Sequence, residues 1–287
     1  MLNFELDDDI AYQRWRSEKL QNYPSNVASN LVTIDNHSEL LADEKVAIKS
    51  RLDAANWVVY ELSDTQLNKN SLHQFAQQFA LSQFDNHTCA DEGVSEISTA
   101  SPDAEKGGFI PYTRRPLKWH TDGYYRPDKQ WVSSIILHCN RPGTRGGVNQ
   151  IVDPELLYIH LRDINPDYIR ALMADDCFQI PAYEKEGKAL RDISHGPVFW
   201  FNEQGQLQMR YTQRTKHIAW SQDELLQEAM AVISNWLNES KNIHSIKLSA
   251  GQGILSRNVL HNRTAFEDNT EQPRQLLRAR YLDAIVL

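Results

Sequence analysis

Helix-forming residues dominate the early part of the 287-residue chain, and short strand-like runs follow over the rest of it. Positions 9–20 and 38–55 carry helix-forming residues, and 56–62 (Asn-Trp-Val-Val-Tyr-Glu-Leu) switches to a β-branched and aromatic run that predicts a strand. A further helix is predicted over 70–83. Short strands are then predicted around 118–124, 131–139, 148–152, 178–181, 198–202, 207–212, 245–248, 253–257 and 275–282. Two helical stretches interrupt them, 154–173 with a break at Asn165-Pro166, and 221–240 capped by Ser221. Asn202 and Gly205 supply turn chemistry between two apolar runs and predict a hairpin. Many short strands with Gly and Pro punctuation, wrapped by helices, predict a mainly β fold of the distorted jelly-roll (double-stranded β-helix) type. The expectation is one domain over 1–287, with 1–100 a mostly helical portion packed on a 105–287 core.

Composition narrows the setting more than the chemistry. Hydrophobic residues at 41% and charged residues at 24% are ordinary for a globular protein, which excludes wholesale disorder. A net charge of −8 gives no footprint for wrapping nucleic acid. The first nine residues are acidic where a secretory signal is basic, and no apolar run is long enough to span a bilayer, so a cytoplasmic enzyme is expected. The expected partner is a small-molecule substrate, with no nucleic acid and no membrane; a homo-oligomer is left open. Cys89, Cys139 and Cys177 are widely separated and form no CxxC pair, so buried free thiols are expected. The polar stretch 99–108 reads as a mobile active-site loop.

Candidate chemistry begins in Trp119-His-Thr-Asp-Gly-Tyr-Tyr. On an extended strand His120 and Asp122 leave the same face, making a pincer for a metal ion. His261, in Val-Leu-His-Asn-Arg, is the candidate third ligand. Two imidazoles and one carboxylate on one side of an ion leave the opposite positions open, as in non-haem Fe(II) oxygenases. A surface His and Asp on an ordinary strand is the plain alternative. Trp119, Tyr124 and Tyr125 wall a pocket on the functional reading and are simple core on the other.

In the last predicted strand Arg274, Leu276, Arg278 and Arg280 fall on one face, with Gln275, Leu277, Ala279 and Tyr281 on the other. The arginines either face solvent or line an interior where guanidinium groups grip a carboxylate in bidentate fashion. Gly146 and Gly147 allow a sharp turn into a strand that brings Asn149 near whatever occupies that interior.

Taken in order, His-x-Asp, the Gly-Gly turn, the distal His and the later Arg resemble the taurine dioxygenase-like superfamily, which includes the γ-butyrobetaine hydroxylases. The resemblance covers roughly residues 105 to 287. It implies an Fe(II)- and 2-oxoglutarate-dependent oxygenase that uses O2, hydroxylates a small polar substrate, anionic or zwitterionic, and releases succinate and CO2. It implies His120, Asp122 and His261 as iron ligands, Arg274 and Asn149 on the co-substrate, and Arg278 on co-substrate or substrate. Many members carry Thr where this chain has Asn149; an amide also donates to a carboxylate. Asp122 implies a hydroxylase rather than a halogenase, which has a small residue there. Trp119, Tyr124, Tyr125, Tyr211, Arg278 and Arg280 are substrate candidates, with Arg115 and Trp200 behind them. A Zn(II) hydrolase on the same three ligands and a non-catalytic jelly-roll binding or sensing protein are the competing classes.

Overall fold

The computed structural model describes residues 6, 8–63, 65–85, 93–99, 109–126, 131–185, 188–202, 204–215, 218–269 and 271–287. The predicted loop at 99–108, apart from Thr99, and Cys89 lie outside them. Helix α1 (Asp9–Asn22) is followed by β1 (Leu31–Ile34), α2 (Ala42–Ala55), β2 (Trp57–Leu62) and α3 (Lys69–Gln77). Then come β3 (Val94–Ser98), β4 (Leu117–His120), β5 (Ser134–Arg141), β6 (Arg145–Gly146) and β7 (Asn149–Val152). Helices α4 (Pro154–Ile164) and α5 (Pro166–Leu172) precede β8 (Phe178–Ile180), β9 (Tyr183–Lys185), β10 (Lys188–Arg191) and β11 (Ser194–Gly196). The hairpin β12 (Phe199–Phe201) and β13 (Leu207–Met209), then β14 (Ala219–Trp220), lead to α6 (Glu224–Glu239). The chain closes with β15 (His244–Ile246), β16 (Gln252–Ser256), β17 (Leu260–Arg263), β18 (Phe266–Glu267) and β19 (Gln275–Tyr281).

Contacts divide these elements into two compact units, residues 1–23, 119–131 and 152–243, and residues 24–118, 132–151 and 244–287. The second unit carries the jelly-roll sheets. A six-stranded sheet runs β1-β2-β16-β5-β19-β3, and a four-stranded sheet runs β15-β7-β17-β4. Only β1 and β2 pair in parallel within the larger sheet; its other described pairs are antiparallel. The N-terminal third therefore contributes three strands to this sheet as well as α2 and α3.

Strand β19 shows why the larger sheet needs helices. Leu277, Ala279 and Tyr281 join one buried cluster with Ile48 and Leu52 of α2 and Leu72, Phe75 and Ala76 of α3. Those helix positions recur at i, i+3 and i+4, the stripe an α-helix lays on a sheet. Helix α2 starts where the Glu44 carboxylate accepts from Leu41 N at 2.7 Å, and it stops at Asn56, whose φ of 60° is left-handed. That cap replaces the predicted start at 38. Helix α3 ends at Gln77 rather than 83, and Ala80 just beyond it has a φ of 57°.

On the opposite face Arg280 is only 4% exposed and Arg278 half-buried, and Arg274, just before the strand, is 5% exposed. The arginines therefore do not form a fully solvated face.

In the first unit, the predicted helix break falls at Asn165, whose side chain accepts from Asp167 N at 3.0 Å and starts α5 at Pro166. The predicted cap of the last helix is corrected. Asp223, not Ser221, accepts from Leu226 N at 2.9 Å, because its carboxylate sits one residue before the first helical turn. The hairpin forms as predicted, with Asn202 N donating to Gln206 O at 3.0 Å. Buried Lys19 pairs with Asp153 and Glu155, each at 2.5 Å, and ties α1 to the start of α4. Among the described residues no helix is long and apolar enough to cross a membrane.

Candidate active site

The His-Thr-Asp triplet is built differently from the predicted strand. Strand β4 stops at His120, and Asp122 to Tyr125 form a turn in which Gly123 has a φ of 73°. A left-handed residue cannot continue an extended strand, so Tyr124 does not follow Asp122 along a shared strand face. The pincer forms nonetheless: His120 Nε2 lies 3.7 Å from Asp122 Oδ1, and both side chains are buried. Backbone bonds fix its base. Thr121 N donates to Tyr211 O at 3.0 Å, Tyr211 N to Thr121 Oγ1 at 3.1 Å, and Gln213 N to Trp119 O at 2.9 Å.

Arg210 holds the far side of this turn. Its guanidinium, fully buried, donates from Nε to Tyr124 O at 2.6 Å and from Nη2 to Ser194 Oγ at 2.9 Å, and it lies 4.6 Å over the Phe178 ring. Ser194 Oγ in turn donates to Arg126 O at 2.7 Å. Arg210 thus supports the ligand turn from behind.

In the second unit, β17 presents His261, half-buried. Its Nδ1 lies 2.9 Å from Val259 O. A carbonyl oxygen only accepts, so Nδ1 carries the proton and Nε2 bears the lone pair a metal takes. The strand is led in by Asn258, left-handed at a φ of 48°, whose amide donates to Val132 O at 2.7 Å.

The same unit holds a small pocket lined by Cys139, Asn149, Leu248, Arg274, Leu276 and Lys247, with Pro142, Gly143, Gly146 and Gly147 also in its wall. Arg274 and Asn149, far apart in sequence, meet here. Gly146 is required by space, since a Cβ there would lie 2.2 Å from Ala265 O, and Gly147 by its left-handed φ of 69°. Gly146→Ala is expected to lower stability by about 2 kcal/mol or more, from the left-handed φ of 70° and this clash. Urea unfolding checks it; a loss under about 0.5 kcal/mol would mean the turn can relax.

Burial pushes the Arg274 guanidinium down to about 10. Asp268, the acid whose charge acts on it, is hydrogen-bonded elsewhere. Asp268 Oδ1 accepts from Arg274 N at 2.6 Å and Asn269 N at 3.1 Å, while Oδ2 accepts from Thr99 Oγ1 at 2.9 Å. The guanidinium instead rests 4.9 Å from the Phe266 ring centroid. Burying a cation costs several kcal/mol, whereas a leucine in the same place contributes about 2, so stability alone does not account for an arginine here.

Arg263 is a residue the sequence reading missed. It sits on the same Phe266 ring at 4.9 Å and donates to the carbonyls of Pro111, Thr113 and Arg115. Burial, with Arg274's charge second, pushes it down to about 9. Its only signal was its place two residues after His261.

The remaining candidates divide. Arg280 closes an ion pair with buried Asp85 at 2.8 Å, a structural contact, and Arg278 is half-buried beside it on β19. Tyr211 is core: its ring lies 6.3 Å from Trp220, and burial raises its phenol, against a hydrogen bond to Gln213. Trp119 is also buried. Tyr124 and Tyr125 are half-buried, edge to face at 5.4 Å, and exposed Arg214 donates to Tyr124 Oη at 3.1 Å. Arg115 is exposed, and Trp200 packs on Trp131 at 3.8 Å between centroids.

The sheets that carry these residues are those of a jelly roll, or double-stranded β-helix. The chain belongs to the taurine catabolism dioxygenase TauD, TfdA family, whose sequence pattern matches residues 21–280. Two curated relatives are uridine-5′-phosphate dioxygenases. The Amycolatopsis sp protein is 27% identical over 175 residues, 58% of this chain and 61% of its own length. The Streptomyces sp protein is 26% identical over 199 residues, 65% of this chain and 70% of its own. Among solved structures, AAD-2 in complex with Mn(II) and N-oxalylglycine matches with a TM-score of 0.63 at 14% identity, covering 90% of this chain and 96% of that one. PvcB, an Fe, α-ketoglutarate-dependent oxygenase of an isonitrile synthetic pathway, matches at 0.56 and 14%, covering 88% and 85%. These two show that the fold is shared.

Proposed function

We propose that this protein is an Fe(II)- and 2-oxoglutarate-dependent dioxygenase that hydroxylates a small polar, anionic substrate. The observation that carries this reading is the donor set: His120 and Asp122, 3.7 Å apart in a buried corner of the first unit, and His261 on β17 of the second, its Nδ1 held by Val259 O so that Nε2 faces a metal as the lone-pair donor. Two neutral imidazoles and a carboxylate suit Fe(II) and leave positions open to other ligands. Bound there, the iron supplies O2 activation coupled to conversion of 2-oxoglutarate into succinate and CO2. His120 and His261 donate nitrogen, and Asp122 compensates charge. Arg274 and Asn149 orient the co-substrate through its carboxylate; Arg278, four residues further along the chain, is not among the residues lining that pocket. A Zn(II) hydrolase has no use for the Arg274 pocket.

For the substrate, the two relatives make uridine 5′-phosphate the first compound to test. Tyr124 and Tyr125 offer ring faces to a base, and Arg214 beside Tyr124 offers a fork to a phosphate. With Fe(II), 2-oxoglutarate and O2, uridine 5′-phosphate is expected to raise succinate release at least about tenfold above the substrate-free rate, a change of about 1.4 kcal/mol in barrier. Absence of both succinate release and 2-oxoglutarate binding in iron-loaded protein sinks the oxygenase reading. Release with other anions but not this one sinks only the substrate.

A further inference from the structure

We propose that Lys247 is a second cation for the distal carboxylate of the keto-acid co-substrate, acting beside Arg274 and setting how strongly the pocket selects a dicarboxylate. This rests on the co-substrate reading of the pocket. Pairing of β15 with β7 sets Ile246 opposite Asn149, so Lys247 is the next residue along from that pair. Burial alternates there: Ile246 and Leu248 are buried while Lys247 is exposed. Leu248 is anchored to β5 by the Cys139 thiol, whose Sγ lies 3.8 Å from Leu248 O, and Gly251 N donates to Cys139 O at 2.9 Å. The lysine is thereby set at the pocket rim, with Arg274 buried within it.

Charge is what makes this arrangement specific. The lining contains Lys247 and Arg274 and not one carboxylate. Neither cation makes an ion pair with a described acid. Asp268 spends its oxygens on two backbone amides and Thr99, and Glu267 pairs with Arg145 at 3.7 Å. Two cationic residues in the lining of one pocket, neither ion-paired with a described acid, fit a ligand end that is itself anionic. Their roles differ by chemistry: the buried planar guanidinium fixes direction, whereas the exposed ammonium adds a point charge that water and salt partly screen. Leu248, Leu276 and Cys139 provide the apolar lining suited to the methylenes between the two carboxylates.

The test is calorimetric titration of anaerobic Fe(II)-loaded protein with 2-oxoglutarate and with 2-oxovalerate, the keto acid of equal chain length that lacks the distal carboxylate. Lys247→Gln is expected to weaken 2-oxoglutarate about tenfold, leave 2-oxovalerate within about twofold, and flatten the salt dependence of binding. Lys247→Arg is expected to retain most of the affinity. Unchanged 2-oxoglutarate binding in Lys247→Gln overturns the assignment, as does equal weakening of both acids, which would mean a shape effect. If the wild type binds 2-oxoglutarate and Lys247→Gln binds it equally, only the Lys247 role falls. If the wild type binds neither acid, the co-substrate reading falls and takes this one with it.

Discussion

His120→Ala is expected to lose stoichiometric Fe(II) and, with it, succinate release by roughly a thousandfold or more, beyond the ten- to hundredfold typical of a supporting residue. The geometry behind this is the 3.7 Å approach of His120 Nε2 to Asp122 Oδ1 in a buried corner fixed by backbone bonds to Tyr211 and Gln213. A missing imidazole leaves two donors, too few to retain the metal against water. Asp122→Ala is expected to do the same, and to remove the charge compensation as well. The measurement is iron content after desalting, together with the visible charge-transfer band of anaerobic protein holding Fe(II) and 2-oxoglutarate. The wild type shows the band and the variants do not. A variant that keeps one iron per chain and an undiminished band would disprove the ligand assignment. Melting curves of the metal-free proteins guard against mere unfolding, since His120 contributes little apolar burial.

Arg274→Gln is the second large effect, an expected weakening of 2-oxoglutarate by about a hundredfold, close to 3 kcal/mol. The pH dependence follows from burial. Arg274 titrates at about 10 in the folded protein against 12.5 when exposed. For a base, a depressed folded value means that its charge subtracts from stability at every pH below about 10. That cost fades as pH rises from about 10 towards 12.5. A bound carboxylate offsets it and holds the proton on. Affinity for 2-oxoglutarate is therefore expected to be level through neutral pH and to fall once pH passes about 10. Calorimetry across that range, within the stability limits of the fold, checks it; wild-type-like affinity in Arg274→Gln would remove the residue from the pocket.

Much of this site was legible because it depends on short-range rules. The strand period of two separated Leu277, Ala279 and Tyr281 from Arg274, Leu276 and Arg278, and the structure places the first set against α2 and α3. Which fate the arginine face would have was not legible, because burial of that face depends on the whole fold. The end of β4 at His120 was hidden for a local reason: His-Thr-Asp-Gly-Tyr-Tyr has aromatic, strand-favouring neighbours, and only the sign of Gly123's φ reveals the turn. Ser221 and Asp223 both qualify as caps by residue type, and the register of α6 chose between them. The pairing of Arg280 with Asp85, and the arrival of Lys247 beside Arg274, join segments distant in the chain, and no periodicity carries that information.

With the Asp268 oxygens engaged elsewhere, a keto acid bound as proposed would complete the charge balance of the pocket. At a hundred times its dissociation constant such a ligand adds about 2.7 kcal/mol to folding, so the co-substrate would also hold together the fold that binds it.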